Sequence, residues 1–450
     1  MRERAAAVSL VAAIFAIVAG VTTATYSFRG ITDTQLNSLQ TRALVLHGDI
    51  DLARYGIDPA DYQTSQEKLV VEQGERIYSV YGIGASLVAA PIYAITARTG
   101  MSDRTAQTIV GVIFAAAAAA AFGLALVRLT TPAIAALCAI VFAFGTTLWP
   151  VASMAFFQQG PVLFFVCLGL LGLFSSGRRA PALAGLGFAA GTMIRPTIAI
   201  MLGIIGLYYL ARDRRRLVMY CLGAALPLAI LVVQNRWIWG SWIEGGYSQA
   251  GLSFDGPFGQ GLSGLTIGWW RGLFVYTPFA ALGVVGWLMT LKRDGDADRA
   301  LAFLGIGVLM GLLVYAKWPD WGGGINQFGY RLPLELVPAL FLLAAYALTC
   351  LPRLFPVGFV LGVVSVVTMT WGAAPRRDGF DDVLFAHRIQ QTSLWRSWRN
   401  FFDHPGPGLL RLTLVAPAAA VMAWLVFRLR SDRSTILVAQ SGTNPAPDAA

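Results

Sequence analysis

Apolar runs of about 20 residues recur along the chain and are separated by polar segments. A helix of that length matches the hydrocarbon thickness of a bilayer, so each run is predicted to cross the membrane. A further segment, 84–98, is short and interrupted by Pro91, and we interpret it as re-entrant or tilted with both ends outside. The predicted spans are twelve, at 7–27, 106–127, 132–149, 160–176, 181–194, 196–211, 217–234, 272–291, 299–316, 333–351, 354–371 and 409–428.

Composition supports an all-α polytopic membrane protein. Of 450 residues, 56% are hydrophobic and 13% are charged, which is about half the charged fraction of a soluble domain. The net charge of +10 would fit a nucleic-acid partner. We exclude that class because the basic residues lie in short loops between spans, where they set orientation.

The loop charges predict that both termini are cytoplasmic. The basic sequences GRR at 177–179 and RDRRR at 212–216 lie on the predicted inner side, as expected for short cytoplasmic loops. Residues 1–430 are predicted to form one membrane domain, followed by a disordered polar tail at 431–450. The long segments on the predicted outer side are 28–83, 235–270, 317–332 and 373–408.

The first outer loop predicts a helix that carries an acid. Thr32 and Gln35 fit a capping box, and an amphipathic helix lying on the membrane surface is expected to follow. Asp33 falls in its first turn, either as an acid favoured by the helix dipole or as a general base. The apolar positions at helical spacing are Leu36, Leu39, Ala43 and Leu46.

Asp49 and Asp51 follow this predicted helix, as a solvated turn or as part of a polar binding site. With Asp33 they could hold a divalent cation through oxygen ligands, although no spacing requires one, and metal dependence stays open. The four cysteines lie in apolar runs without CxxC spacing, which indicates small buried hydrophobic residues.

Arginines recur at the outer ends of predicted spans. Arg195 is at the tip of the short hairpin formed by 181–194 and 196–211, and Arg271 and Arg331 also map to outer span ends. Arg331 could pair with Glu335 four residues later, or it could bind an anionic headgroup or diphosphate, because its planar fork bonds phosphate in a bidentate manner. The same alternatives, a surface charge or a phosphate ligand, apply to Arg76.

Other polar and aromatic side chains accompany these arginines. Gln159 lies near lipid, where an amide needs a partner, and Asp320 and Tyr330 flank a run of three glycines. The outer aromatics fit a belt at the headgroup level, and some could stack on sugar rings. They are Trp237, Trp239, Trp242, Tyr247, Trp269, Trp270, Trp318, Trp321, Trp395 and Trp398.

The order of these segments resembles the GT-C superfamily of membrane glycosyltransferases. It is most similar to the glycosyltransferase 39 group, which includes protein O-mannosyltransferases and the lipid A aminoarabinose transferase. The resemblance runs from about residue 5 to about 370. Its motifs are TDTQ…HGDIDL at 32–52, IYSVYGIGASLVAAP at 77–91, GTMIRP at 191–196 and DWGGGINQFGYRLPLELVP at 320–338.

The resemblance implies an inverting transferase of the bacterial inner membrane with its site on the outer face. Asp33 would be the catalytic base, and Arg195 would line the lipid-phosphate pocket. The paired acids usual in the family appear here as Asp33-Thr34, and Tyr81-Gly82 replaces two prolines. The implied partners are a polyprenyl-phosphate sugar donor, membrane lipids and a glycan, lipid or protein acceptor, with no certain cofactor.

Two other function classes remain open from sequence. A flippase for lipid-linked glycans would need charged residues near the bilayer midplane, and the predicted spans contain almost none. A non-catalytic protein of envelope assembly is the second alternative, and mutation of Asp33 would separate it from an enzyme.

Overall fold

The computed structural model describes residues 2–28, 30–63, 68–323, 328–373 and 405–428, with residues 392, 394–396, 399 and 402. The predicted disordered tail and most of the predicted last outer loop lie outside these ranges. The helices are α1 Arg2–Ala24, α2 Thr32–His47, α3 Gly84–Arg98, α4 Asp103–Leu129, α5 Pro132–Phe144, α6 Gln159–Leu173, α7 Ala180–Ile194, α8 Ala199–Arg212, α9 Arg214–Trp239, α10 Gly246–Gln249, α11 Phe258–Thr266, α12 Leu273–Tyr276, α13 Ala281–Thr290, α14 Asp296–Ala316, α15 Val337–Cys350, α16 Phe355–Ala373 and α17 Pro405–Arg428.

Short turns and one hairpin complete the described structure. Strands β1 (Val70–Gln73) and β2 (Arg76–Ser79) pair antiparallel, with Val70 opposite Ser79. The 3₁₀ turns are Ala53–Tyr55, Pro59–Tyr62, Pro196–Ile198, Pro278–Ala280, Leu332–Leu336 and Pro352–Leu354, and Leu148–Ala152 forms a wider π-type turn.

The helices define a multi-pass membrane protein. Within the described residues, five helices are long and apolar enough to cross a bilayer and seven more are apolar over 10–17 residues. Each of the twelve predicted spans corresponds to one of these helices. The number of complete crossings stays a prediction, because a helix of 15 residues is only about 22 Å long.

Two predicted spans are interrupted. Predicted span 272–291 divides into α12 and α13, with a turn at Pro278–Ala280 between them, because proline fits the first position of a new helix but not a helix interior. Predicted span 132–149 is helical only to Phe144. Segment 84–98 forms one helix, α3, that continues through Pro91.

Helix α2 confirms the predicted helix but not its predicted cap or surroundings. Thr32 lies inside the helix, and the hydroxyl that accepts from the backbone N–H of Ile31 (3.0 Å) belongs to Thr34. Buried positions include the polar residues Asn37 and Gln40 as well as Leu36. The expectation of an amphipathic surface helix is therefore wrong, since protein encloses its polar positions too.

Helix α7 packs backbone to backbone against its neighbour α9. A Cβ atom at Gly185 would overlap the carbonyl oxygen of Tyr220, and one at Gly223 would overlap that of Ala182. Small residues at such contacts let membrane helices approach closely. This contact fixes the position of α7, and Arg195 follows directly at its C-terminal end.

Candidate active site

A cavity of about 1280 Å³ opens where α1, α7, α9 and α14 end, which we call the site end of the bundle. Five of its lining residues are charged, and they come from distant parts of the sequence: Asp33, Arg195, Lys317, Asp320 and Arg331. Its volume exceeds the usual 300–1,000 Å³ or so of a small-molecule pocket, so it has room for more than one small ligand.

Asp33 and Arg331 form an ion pair inside this cavity. Their side chains are only 14% and 11% exposed, so water screens the pair weakly. Helix α2 places Asp33, and the amide of Asn37 anchors that helix by donating to the carbonyl oxygen of Phe156 (3.2 Å). Arg331 also donates to the carbonyl oxygen of Gly323 (3.2 Å) and lies over the ring of Phe157.

Gln159 joins Arg331 to Arg195. Its side-chain oxygen accepts from Nε of Arg331 (3.1 Å) and from Nη1 of Arg195. This amide orientation is assigned from its neighbours, because only the oxygen can face two donors. Gln159 is fully buried and begins α6, so the positive end of that helix dipole meets two guanidinium groups. The arrangement is suited to an anion.

Glu335 forms an ion pair with Arg195 and compensates its charge. Its carboxylate is 3.4 Å from Nε of Arg195 and accepts from the hydroxyls of Thr197 (3.1 Å) and Tyr315. The Glu335 side chain is completely buried, and a charge in such a position needs a partner. Arg331 therefore does not pair with Glu335, as the four-residue spacing would allow, but with Asp33.

The resulting network runs from Asp33 through Arg331, Gln159 and Arg195 to Glu335. It contains two positive and two negative groups and is neutral as a whole. Burial lowers the pKa of Arg331 to about 10, which leaves its guanidinium charged at neutral pH. An incoming anion would therefore find two charged arginines whose present partners are protein carboxylates.

Three predicted binding residues are not part of this site. The carboxylate of Asp51 accepts from the backbone N–H groups of Ala53 (3.0 Å) and Ile77 (3.1 Å), which ties the β-hairpin to the preceding turn. Asp49 forms an ion pair with Arg54. Arg76 is exposed and donates to the hydroxyl of Tyr78 (3.3 Å). None of the three lines the cavity, so the prediction that they bind substrate is not supported there.

Of the other residues predicted to bind substrate, two are buried outside the cavity lining and a third lines the cavity. Arg271 donates to the carbonyl oxygen of Gly329 (3.1 Å) and stacks on Trp270 (4.7 Å). Tyr330 is fully buried, and its hydroxyl is 2.8 Å from that of Thr277. Asp320 lines the cavity. Arg271 and Tyr330 therefore hold the loop that carries Arg331.

The three acids considered for a divalent cation do not come together. Within the described ranges, no three His, Cys, Asp or Glu side chains are grouped as metal ligands. Asp33 lies in the cavity, whereas Asp49 and Asp51 serve the hairpin. The hypothesis that these three acids together bind a divalent cation is therefore wrong.

The outer aromatics divide into different environments. Trp237, Trp242 and Trp269 are more than half exposed, as expected of a belt at the headgroup level. Tyr247 and Trp318 instead line the cavity. Trp398 lies outside the described residues. Trp239, Trp270 and Trp321 are buried, and Trp395 is exposed.

The sequence singled out Gln158 but missed other cavity residues. Gln158 lines the cavity, and its buried amide nitrogen has no hydrogen-bond partner. Tyr81 and Phe254 also line the cavity, and Glu335 supports it through its ion pair with Arg195. Phe254 lies 20 residues after one predicted span and 18 residues before the next, so its position in the sequence gave no signal.

The fold and the site together define a polytopic membrane protein with a buried ionic site at one end of its helices. The chain is similar to ArnT from Cupriavidus metallidurans, a lipid A aminoarabinose transferase of the GT-C type, whose crystal structure in the apo state superposes with a TM-score of 0.53. The match covers 94% of this chain and 75% of that one at 18% identity. At this identity the match shows that the chain shares its fold with ArnT. No protein-family model matches the sequence, and no curated protein matches it.

Proposed function

We infer that the protein is a glycosyltransferase that moves a sugar from a polyprenyl-phosphate donor to an acceptor at the outer face of the inner membrane. The observation that carries the proposal is the placement of Asp33 in one buried network with Arg331, Gln159 and Arg195. A base beside two arginines is what transfer from a phosphate-linked sugar needs. The likeness in fold to ArnT supports the same class.

Donor binding would exchange partners within the network. A phosphate has oxygen atoms that accept from both arms of a guanidinium, so it can replace the carboxylate of Asp33 at Arg331. Arg195 would contribute a second positive charge while Glu335 keeps it in place. The exchange frees Asp33 at the moment when the donor arrives.

Transfer then follows with inversion at the anomeric carbon. The freed carboxylate of Asp33 takes the proton of an acceptor hydroxyl, and that oxygen forms a bond to the anomeric carbon. The bond between this carbon and the phosphate oxygen breaks, and the electron pair leaves with polyprenyl phosphate. Arg331 and Arg195 stabilise the negative charge that develops on the leaving oxygen.

The polyprenyl chain would bind the part of the cavity that lies between the long helices. Aliphatic side chains from three helices line it there, among them Ile200 of α8, Leu231 of α9 and Leu313 of α14. An isoprenoid lying against these residues would remain in an apolar environment, while its phosphate reaches the arginines. The charged groups of the network lie at one end of the bundle, which favours a surface enzyme over a transporter.

Asp33 can be tested against a matched acid outside the cavity. Purified full-length protein in detergent is incubated with a panel of radiolabelled polyprenyl-phosphate sugars, and release of polyprenyl phosphate is measured. We expect release by the wild type and by Asp49→Asn. Asp33→Asn is expected to lose about 10²- to 10⁴-fold, the usual contribution of a general base.

Two results would contradict this proposal. Equal activity of Asp33→Asn and the wild type would show that another group is the base. No release from any donor, although labelled polyprenyl phosphate still binds, would favour a lipid-linked glycan flippase or an assembly protein instead.

A further inference from the structure

Four aromatic rings of the cavity lining contact one another edge to face, with interplanar angles of 68°, 89° and 62°. The ring centroids of Tyr81 and Tyr247 are 6.1 Å apart, those of Tyr247 and Trp318 5.6 Å, and those of Trp318 and Phe254 5.2 Å. All four side chains line the cavity that contains Asp33. We call this set the aromatic wall.

The aromatic wall differs from the aliphatic part of the cavity in its position along the helices. Tyr247 and Phe254 follow the end of α9, Trp318 follows the end of α14, and Tyr81 precedes α3. The aliphatic residues Leu231 and Leu313 lie within helices. The wall is therefore built from segments outside the long helices, whereas the aliphatic part of the cavity is built from the helices themselves.

The wall is held rigidly. Gly246 packs against the backbone of Val80 so closely that a Cβ atom there would overlap the Val80 carbonyl oxygen, which sets Tyr247 beside Tyr81. At the other end, the backbone N–H of Gly256 donates to the carbonyl oxygen of Lys317 (2.9 Å). Aromatic rings that are fixed before binding lose little entropy when a ligand stacks on them.

We propose that the aromatic wall is the acceptor subsite and that it binds saccharide rings, so that the acceptor is a glycan. The apolar C–H face of a sugar ring stacks on an aromatic plane. Tyr247 and Trp318 each contact two other rings of the set, so more than one aromatic ring is offered to a ligand.

Polar groups beside the wall suit hydroxyl-rich ligands. Ser248 and Lys317 line the cavity, and the amine of Lys317 donates to the carbonyl oxygen of Gly256 (3.3 Å). The amide nitrogen of Gln158, buried without a partner on the cavity lining, supplies a donor for a sugar hydroxyl. The role of the saccharide as acceptor rests on the proposed function. Binding of the saccharide itself can be measured without turnover.

Binding can be measured without any donor. Full-length protein in detergent is titrated with unlabelled di- to tetrasaccharides of glucose, galactose, mannose and N-acetylglucosamine, and contact is detected by saturation-transfer NMR on the sugar ring protons. We expect at least one oligosaccharide to bind at millimolar concentration. Trp318→Ala should weaken it at least about tenfold, equivalent to about 1.4 kcal/mol, whereas Trp318→Phe keeps most of the affinity.

Two further variants protect the test against misfolding. Trp242→Ala is the matched control, because Trp242 is 59% exposed and does not line the cavity, and it should bind saccharide as the wild type does. Phe254→Ala removes a ring that is 49% exposed, so the fold should tolerate it while saccharide binding falls several-fold. Equal weakening by Trp242→Ala and Trp318→Ala would overturn the proposal.

Failure of this inference can be distinguished from failure of the proposed function. Donor consumption with no oligosaccharide binding, or competition for the wall by a short-chain phospholipid alone, would refute the glycan subsite and leave the transferase intact. Saccharide binding that depends on Trp318, without consumption of any donor, would support the subsite and refute the transferase.

Discussion

Neutralising Asp33 is expected to strengthen donor binding while it abolishes transfer. The Asp33 carboxylate forms an ion pair with the guanidinium of Arg331, and both side chains are nearly buried. A donor phosphate must displace that carboxylate and then remain close to its negative charge. Asp33→Asn removes both costs and leaves the shape of the side chain unchanged.

The size of the effect follows from the pair itself. A hydrogen bond to a charged group contributes about 1.5–3 kcal/mol. If half or more of this contribution is lost when Arg331 turns to phosphate, the donor affinity of Asp33→Asn should rise by about tenfold, or about 1.4 kcal/mol. Turnover should nevertheless fall by the factor expected for loss of a general base, about 10²- to 10⁴-fold.

The assay is equilibrium binding of a labelled polyprenyl-phosphate sugar to the wild type, Asp33→Asn and Asp49→Asn in detergent. Asp49→Asn should bind as the wild type does, because Asp49 pairs with Arg54 outside the cavity. Weaker donor binding by Asp33→Asn would refute the exchange, because it would mean that the carboxylate attracts the donor, for example through a sugar hydroxyl.

Three other substitutions test the remaining parts of the site and its support. Glu335→Ala leaves the buried Arg195 uncompensated and should destabilise the fold by about 3–5 kcal/mol, measured by thermal unfolding in detergent; a second change, Arg195→Met, should restore stability but not donor binding. Arg331→Lys keeps the charge but loses the planar fork, so turnover should fall at least about tenfold in the release assay, and unchanged turnover would argue against bidentate phosphate binding. Gly223→Val should overlap the carbonyl oxygen of Ala182 and cost about 1–3 kcal/mol, seen as a lower unfolding temperature.

The membrane helices could be predicted from sequence because hydrophobic length alone specifies them. Each of the twelve predicted spans corresponds to an apolar helix of the described structure. Their limits shifted where proline changes the local geometry, as at Pro278. The hairpin of β1 and β2 was missed, although Gly74 between two runs rich in β-branched residues is a usual hairpin signal.

The partners of the charged residues could not be predicted. Glu335 stands four residues after Arg331, which is the spacing of an ion pair on an α-helix. Residues Leu332–Leu336 instead form a 3₁₀ turn, where three residues complete a turn and the fourth is rotated by about 120°. Glu335 therefore points to Arg195, and Arg331 is left to Asp33, 298 residues away in sequence.

Asp33 was selected from the sequence because it lies in the first turn after a span, where the resemblance to GT-C enzymes implies a catalytic base, and it does line the cavity. Asp49 and Asp51 are similar to it in composition and nearby in sequence, yet their roles are local. The backbone N–H of Ile77 donates to the carboxylate of Asp51. This contact depends on the β-hairpin, which was not predicted from the sequence. Long-range pairing thus decided which acid reached the cavity.

The glycine contact between α7 and α9 has a consequence for motion. Gly185 of α7 and Gly223 of α9 each lie against the backbone of the other helix, so α7 cannot slide along α9 without a clash. Arg195, at the end of α7, is therefore expected to keep its position. Arg331, by contrast, is held only through side-chain contacts and its loop. Substrates of different size would be accommodated by rearrangement of Arg331 and Asp33 around a phosphate whose position is set by Arg195.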